Sequence, residues 1–253
     1  MYHTTGFAKA DIIDLCVLVN AQAEATGRAT WPATLGLFKS VAIALTYVRR
    51  NHVQAELAEY WGVSQSTISR AVTRVTPLIA EALRSWVPTA EDLSPQEQYI
   101  VDGTLLTCWS WTGHTELYSG KHHTTGMNIQ VVCDLTGTMR WVSDPVDGSR
   151  HDTAALEISG VMDTLDPQNW IGDKGYIGTG MLTPFRKPPG GGLLPWQKEF
   201  NTAVNKIRYV IERTIAHLKT WRILHTDYRR PLKTFAITIS AVIALEFYRL
   251  ARE

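Results

Sequence analysis

Cysteine is scarce in this 253-residue chain: Cys16, Cys108 and Cys133 are widely scattered, and none belongs to a CxxC pair. An odd, dispersed set excludes a disulfide framework and a cysteine-built zinc site, and it implies reduced thiols in a cytosolic setting. The opening stretch "MYHTTGFAKADIIDLC" has no basic segment followed by a long apolar run, so no secretory signal is expected. Long apolar runs are missing throughout. The longest, "FAITISAVIALEFY" at 235–248, is too short to span a bilayer and reads as a core helix. Internal repeats and low-complexity tracts are absent, and the net charge is only +1.

What the chain does have is charge segregation. Residues 1–90 carry 8 Lys/Arg against 6 Asp/Glu, residues 91–180 carry 4 against 13, and residues 181–253 carry 13 against 5, giving +2, −9 and +8. The local field decides partners more than the total, so near-neutrality does not exclude a polyanion. An acidic middle beside a basic end suits a metal-dependent enzyme acting on nucleic acid. Internal charge complementarity gives the same pattern. With 45% hydrophobic and 19% charged residues, the chain has the profile of a soluble globular protein able to bury a sizeable core.

Residues 1–86 read as helical. "LGLFKSVAIALTYVRR" (35–50) has apolar residues at helical spacing, and "VQAELAEYW" (53–61) follows a break at Asn51 and His52. Gly62 is placed to stop that helix and Ser64 to cap the next. "SWVPTAEDLSPQEQ" (85–98), polar and with two prolines, is the expected linker. Beyond it come "QYIVDGTLLTCW", then "TTGMNIQVVCD" and "TMRWVSDPV" around a turn at Leu135–Gly137, and then "NWIGDKGYIG" as strands. "HDTAALEISGVMDTL", "NTAVNKIRYVIERTIAHLKTWRI" (201–223) and residues 232–252 read as helices, and "PPGGGLLPWQKEF" (188–200) as a loop. Strands followed by helices indicate an α/β domain at 91–253 behind an all-α module at 1–90.

"QAELAEYWGVSQSTISRAVTRV" has the spacing of a helix-turn-helix. Leu57, Val63, Ile68 and Val72 supply contacts between its helices, while Gln65, Ser66, Ser69, Arg70 and Thr73 occupy the outer face of the second, with Arg74 beside them. Short hydroxyl and amide groups with an arginine suit contact with base edges and phosphates. An ordinary helical hairpin would favour Glu and Lys there.

Three acids stand out further on. Asp102 follows the apolar "YIV", Asp173 ends a strand between Gly172 and Lys174, and Glu212 lies in "VIERTI", close to a packed face. Strand ends plus a facing helix can gather the hard oxygen ligands that two Mg²⁺ ions need. Three unrelated acids remain the alternative. Asn205, Arg208, Glu212 and Lys219 fit N-x-x-R-x-x-x-E-x(6)-K, and in a continuous helix the other three fall within about 60° of Glu212.

These motifs identify a likeness. "VDGT" (101–104), "GSRHD" (148–152), "GDKGY" (172–176) and the R-x-x-x-E-x(6)-K stretch, preceded by the helix-turn-helix, resemble the DDE-type transposases of bacterial insertion sequences, in the group related to the eukaryotic Harbinger elements. The resemblance implies a ribonuclease-H-like catalytic domain. In it Asp102, Asp173 and Glu212 are catalytic and bind two Mg²⁺ ions, with Mn²⁺ as a substitute. It implies binding of double-stranded DNA, both the terminal inverted repeats and the target, by a homodimer or higher oligomer. Cleavage would free a 3′-hydroxyl that is then joined to target DNA. A cytoplasmic, nucleoid-associated location in bacteria follows, with no membrane partner. Lys174, Arg208 and Lys219 are expected at DNA phosphates. Many members carry tyrosine where this chain has Asn205.

Smaller expectations attach to neighbouring residues. Asp152 is either a helix N-cap or an auxiliary to the metals, and His151 and Arg150 either reach the scissile phosphate or are solvated. In "KHHTTG", Lys121, His122 and His123 are a poor zinc set, so phosphate contact or simple exposure is expected. Trp196, in its loop, has a face for stacking on an unpaired base. Two other functions fit the same sequence: a domesticated DNA-binding protein with a silent nuclease domain, and a metal-dependent nuclease that never joins strands.

Overall fold

The computed structural model describes residues 1–27, 31–110, 112–164 and 166–252. Residues 28–30, 111, 165 and 253, which fall inside the stretches assigned above, lie outside the described residues. The helices are α1 (Tyr2–Thr5), α2 (Lys9–Thr26), α3 (Gly36–Arg50), α4 (Gln54–Trp61), α5 (Gln65–Ala82), α6 (Asp152–Ile158), α7 (Val161–Thr164), α8 (Pro195–Leu218) and α9 (Phe235–Leu250). The strands are β1 (Tyr99–Thr107), β2 (Tyr118–Ser119), β3 (Thr124–Asp134), β4 (Met139–Val142), β5 (Val146–Asp147) and β6 (Trp170–Ile171).

Contacts divide the chain into two compact units, Met1–Val87 with Leu218–Glu253, and Pro88–His217. The C-terminal segment therefore packs with the N-terminal helices, a return that composition does not foresee. In this helical unit α5 packs against α3 and α9, burying Ile43, Leu45, Val72, Val75, Val242 and Leu245. Gly62 ends α4 in the left-handed region at φ 64°, and Ser64 Oγ accepts from Thr67 N at 3.3 Å to start α5. Leu57, Ile68 and Val72 are buried between the two helices, as their spacing requires.

The second unit is built on a mixed sheet of order β2-β3-β1-β6. β1 runs antiparallel to β3 along its whole length and parallel to β6 through Tyr99↔Trp170 and Ile100↔Ile171. The β3–β4 hairpin turns at Gly137, φ 92°, where Asp134 Oδ1 accepts from Thr136 N at 2.9 Å and Thr138 N at 3.0 Å. Tyr99 and Val101 alternate onto one face, over a core of Leu156, Val161, Trp170 and Tyr176. Helix α8 crosses the hairpin, with Thr214 Oγ1 donating to Gly137 O at 2.7 Å.

Three expectations need correction. The helix read over 151–165 is two, broken before Val161 by Gly160 at φ 70°. The proline- and glycine-rich loop ends earlier, because α8 starts at Pro195, a residue whose fixed φ suits a first helical turn. Trp196 is thus helical rather than in a loop, and it packs edge-on against Phe185 at 5.1 Å while remaining exposed. Helix α8 also stops at Leu218, so Lys219 lies beyond its end rather than two turns along one face from Glu212. No described helix is long and apolar enough to cross a membrane.

Candidate active site

The pairing of β1 with β6 decides the site. Ile100 lies opposite Ile171 on adjacent parallel strands, and Asp102 and Asp173 each stand two residues further along the same direction. Asp102 lies within β1, whereas Asp173 follows the end of β6 and opens the next turn, so the pair of strands carries both carboxylates in the same direction. Their charges interact: Asp102 is pushed up to about 6 by burial and by the like charges of Asp173 and Asp152, against the pull of Arg208. Arg208 Nη2 donates to Asp102 Oδ2 at 3.1 Å across 106 residues of sequence, and its Nε is buried without a hydrogen-bond partner.

Asp152 enters this neighbourhood through a route that spacing alone does not show. It is the first residue of α6, but His151 holds the N-cap position and no side chain caps the helix. The capping expectation therefore fails. The Asp152 side chain instead turns inward, accepting from Lys121 Nζ at 2.7 Å and from Asn128 Nδ2 at 3.2 Å. Asn128 Oδ1 accepts from Gln130 Nε2 at 3.1 Å, and Gln130 Oε1 accepts from the buried Tyr176 hydroxyl at 2.5 Å. Burial first, and then the fields of Asp152, Asp102 and Asp173, hold the Tyr176 phenol well above its ordinary range. Burial disfavours the charge on Lys121, but its bond to Asp152 prevails and raises its pKa.

The glycines of the three motifs leave the room for this convergence. A Cβ on Gly103 would stand 2.3 Å from Asp152 Oδ1, and one on Gly175 would stand 2.7 Å from Asp173 Oδ1. On Gly148 it would meet the carbonyls of Gly126 and Leu117 at 2.4 Å and 2.6 Å. Gly172 and Gly175 do not adopt positive φ. They are needed for close approach, not for a sharp turn: a Cβ on Gly172 would lie 3.0 Å from the Tyr176 ring. Asp173 Oδ1 accepts from Gly175 N at 2.6 Å, which fixes the carboxylate at the strand end.

Glu212 is placed differently. It is exposed on α8 rather than buried, one helical turn from Arg208. Among the described residues no three His, Cys, Asp or Glu side chains are gathered to hold one metal ion. The donors near Asp102 are carboxylate oxygens, the kind Mg²⁺ prefers, so they fit that ion in type but not yet in number. Lys174 is exposed, with its carbonyl held by Arg186 Nη2 at 2.7 Å. Lys219 is half-buried and its pKa lowered by that burial, and it groups with the helical unit. Arg150, His151, Lys121, His122, His123 and Asn205 are exposed.

On the helical unit Gln65, Ser66, Arg70, Thr73 and Arg74 are exposed and Ser69 is half-buried. Arg70 lies along its own helix, with Nη2 donating to Thr67 Oγ1 at 3.2 Å. The network of Asn128, Gln130 and Tyr176 went unread in the sequence. Its one visible signal is the alternation of polar Asn128 and Gln130 with apolar Met127, Ile129 and Val131 along the strand.

Residues 101–246 match the family model described as "DDE superfamily endonuclease", and residues 34–85 match "Helix-turn-helix of DDE superfamily endonuclease". A protein named as a transposase for insertion sequence element IS112 of Streptomyces albus G is 32% identical over 201 residues, 76% of this chain and 73% of its own length. One named for element IS702 of Microchaete diplosiphon is 25% identical, covering 83% of this chain and 80% of its own length. A protein named as the nuclease HARBI1 of Xenopus laevis is 25% identical over 71% of this chain and 56% of its own length. No solved structure matches. The chain belongs to the DDE superfamily endonucleases, as an insertion-sequence transposase with an N-terminal helix-turn-helix. Its mixed sheet behind a helical module is the α/β, ribonuclease-H-like arrangement of that family.

Proposed function

We propose that this chain binds the terminal inverted repeats of a bacterial insertion element, cuts DNA at the element ends and joins the freed 3′-hydroxyl to target DNA. The observation that carries the reading is that the parallel β1–β6 pair brings Asp102, within β1, and Asp173, just past the end of β6, close enough for the charge of Asp173 to raise the pKa of Asp102. Asp102, Asp173 and Glu212 would hold two Mg²⁺ ions, or Mn²⁺ in their place. Bound there, the ions would supply a nucleophilic water at neutral pH and neutralise charge on the phosphodiester. Asp152 is an auxiliary carboxylate that Lys121 and Asn128 keep in position. Arg208 has a buried Nε without an acceptor, which a phosphate oxygen would satisfy. Lys174, Lys219 and His151 serve as further phosphate contacts.

In the helical module Gln65, Ser66, Ser69, Arg70 and Arg74 face the duplex. Two element ends must be held together, so a homodimer or higher oligomer forms on DNA, in the cytoplasm at the nucleoid. The functional division is a DNA-binding module over 1–90 and catalytic residues within 91–217, with residues 218–253 grouped with the helical unit.

The test is cleavage of a duplex carrying the inverted repeats that flank the gene. Asp102→Asn, Asp173→Asn and Glu212→Gln each abolish cleavage while sparing binding, and Ca²⁺ supports binding without cleavage. A variant that retains near-normal activity loses its place in the site. Glu212 is exposed, and that favours a second reading in which the chain binds DNA with a silent nuclease domain. A wild-type chain inert in both Mg²⁺ and Mn²⁺ establishes it. Cleavage without strand-transfer products identifies a nuclease alone.

A further inference from the structure

The basic stretch "DYRRPLKT" (227–234) plays no part in the chemistry above, yet it is firmly built. Tyr228 is fully buried, stacked on Phe235 with ring centroids 4.4 Å apart, and its hydroxyl bonds Thr234 Oγ1 at 2.7 Å. Arg229 Nη2 donates to Asn51 O at 2.9 Å, at the end of α3. Asn51 Nδ2 in turn donates to Thr226 Oγ1 at 2.7 Å. Arg230 Nη2 donates to Thr73 Oγ1 of α5 at 2.6 Å, and its guanidinium lies 5.9 Å from the Tyr47 ring centre.

These ties make the segment one wall of a groove within the helical unit. Gln65, Ser69 and Thr73, spaced i, i+4, i+8 on α5, form the opposite wall. Arg229, Arg230 and Lys233 line the first wall, and no carboxylate lines the groove among the described residues. One side thus offers cations and the other short hydrogen-bonding groups, along the helix that the family comparison assigns to a helix-turn-helix.

We propose that this groove holds one phosphate strand of the duplex whose major groove receives α5, so that the C-terminal segment is the second half of the DNA-binding surface. Phosphate contacts of this kind fix register and orientation without reading sequence. The inference rests on the helix-turn-helix reading of α4 and α5. It adds that residues more than 150 positions away in sequence complete the footprint.

The test uses the full chain, a random-sequence DNA duplex beside one carrying the terminal repeats, and a salt titration of binding. Arg230→Gln with Lys233→Gln should lower the slope of log K against log salt by about 2, at about 0.9 per lost phosphate contact. The exposed Lys233→Gln alone, which leaves the Arg230–Thr73 bond in place, should lower it by about 0.9. An unchanged slope in both variants, with wild-type binding intact, overturns the clamp and leaves the helix-turn-helix reading standing. A wild-type chain with no affinity for duplex at low salt overturns the helix-turn-helix reading itself. Loss confined to one DNA sequence would mean that the groove reads bases, and it too would overturn the proposal.

Discussion

In the sheet unit Asp102 is half-buried and Asp152 buried, and both already carry counter-charges, Arg208 on Asp102 and Lys121 on Asp152. In the helical unit the cations Arg229 and Lys233 stand exposed along a groove without acids. The first arrangement costs desolvation and must be offset by precise pairing. The second costs little and awaits a partner from outside. Substitutions at the ion-paired Asp102 and Asp152 should therefore disturb chemistry and stability together, whereas substitutions at exposed positions of α5 and the basic segment should disturb binding and leave stability nearly untouched.

The largest effect tests the sheet side. Replacing Asp173 by cysteine exchanges a hard oxygen for sulfur, which Mg²⁺ accepts poorly and Mn²⁺ better. Asp173→Cys should lose about 10³-fold or more of its cleavage rate in Mg²⁺ and recover part of it in Mn²⁺. Asp152→Cys should show no Mn²⁺-selective recovery, because Asp152 is engaged by Lys121 and Asn128. The opposite pattern, with Mn²⁺ rescuing Asp152→Cys alone, would move Asp152 into the metal set in place of Asp173.

A pair of glycines sharpens the contrast in stability. Gly148→Ala drives a methyl into two backbone carbonyls that cannot move independently, and should cost about 3 kcal/mol in urea unfolding. Gly62→Ala has nothing within 4 Å of the new methyl. It pays only for a left-handed φ, about 1 kcal/mol. Equal costs would mean that the sheet unit is as forgiving as the helical one.

The third effect is on binding. Arg70→Ala should weaken affinity for the terminal repeats by about 1–3 kcal/mol, and for random duplex by less, if Arg70 reads a base edge. Its unfolding midpoint should stay close to wild type, since its bonds are local and exposed. Equal loss on both DNAs reassigns Arg70 to the backbone.

The same contrast explains what the sequence made legible. The helix-turn-helix could be read because its signals are local: Gly62, Ser64 and the spacing of Leu57, Ile68 and Val72 each act within a few residues. Asp102, within a strand, and Asp173, just past a strand end, are legible as acids beside glycine, although the reason for those glycines is not. Close approach depends on a neighbour that no local pattern names, and Gly103 makes room for an aspartate 49 positions away. Asp152 looked like a cap because its position allows one, and only the fold reveals Lys121 as its partner. Glu212 reads as close to a packed face because Val210, Ile211 and Ile215 surround it in sequence. On α8 only Ile211 of these is fully buried, and it points about 100° away from the exposed Glu212. The return of residues 218–253 to the helical unit is a long-range packing event with no compositional mark.

The smallest effect compares two caps that do different work. Ser64 Oγ accepts from Thr67 N at 3.3 Å, and no second oxygen remains on that side chain. Asp173 Oδ1 accepts from Gly175 N at 2.6 Å, and its other oxygen is left for a different task. Ser64→Ala should destabilise the chain by about 1 kcal/mol through loss of a cap, while Ser64→Thr should restore most of that. Neither should alter the rate of cleavage at saturating DNA. Asp173→Ser keeps an oxygen for the backbone turn and removes the carboxylate. Its stability should therefore change by less than about 0.5 kcal/mol, while its cleavage falls as far as that of Asp173→Asn. Thermal unfolding and single-turnover cleavage on the same four proteins separate the two roles. If Asp173→Ser were to keep its activity, the Asp173 carboxylate would be a cap and nothing more, like the Ser64 hydroxyl.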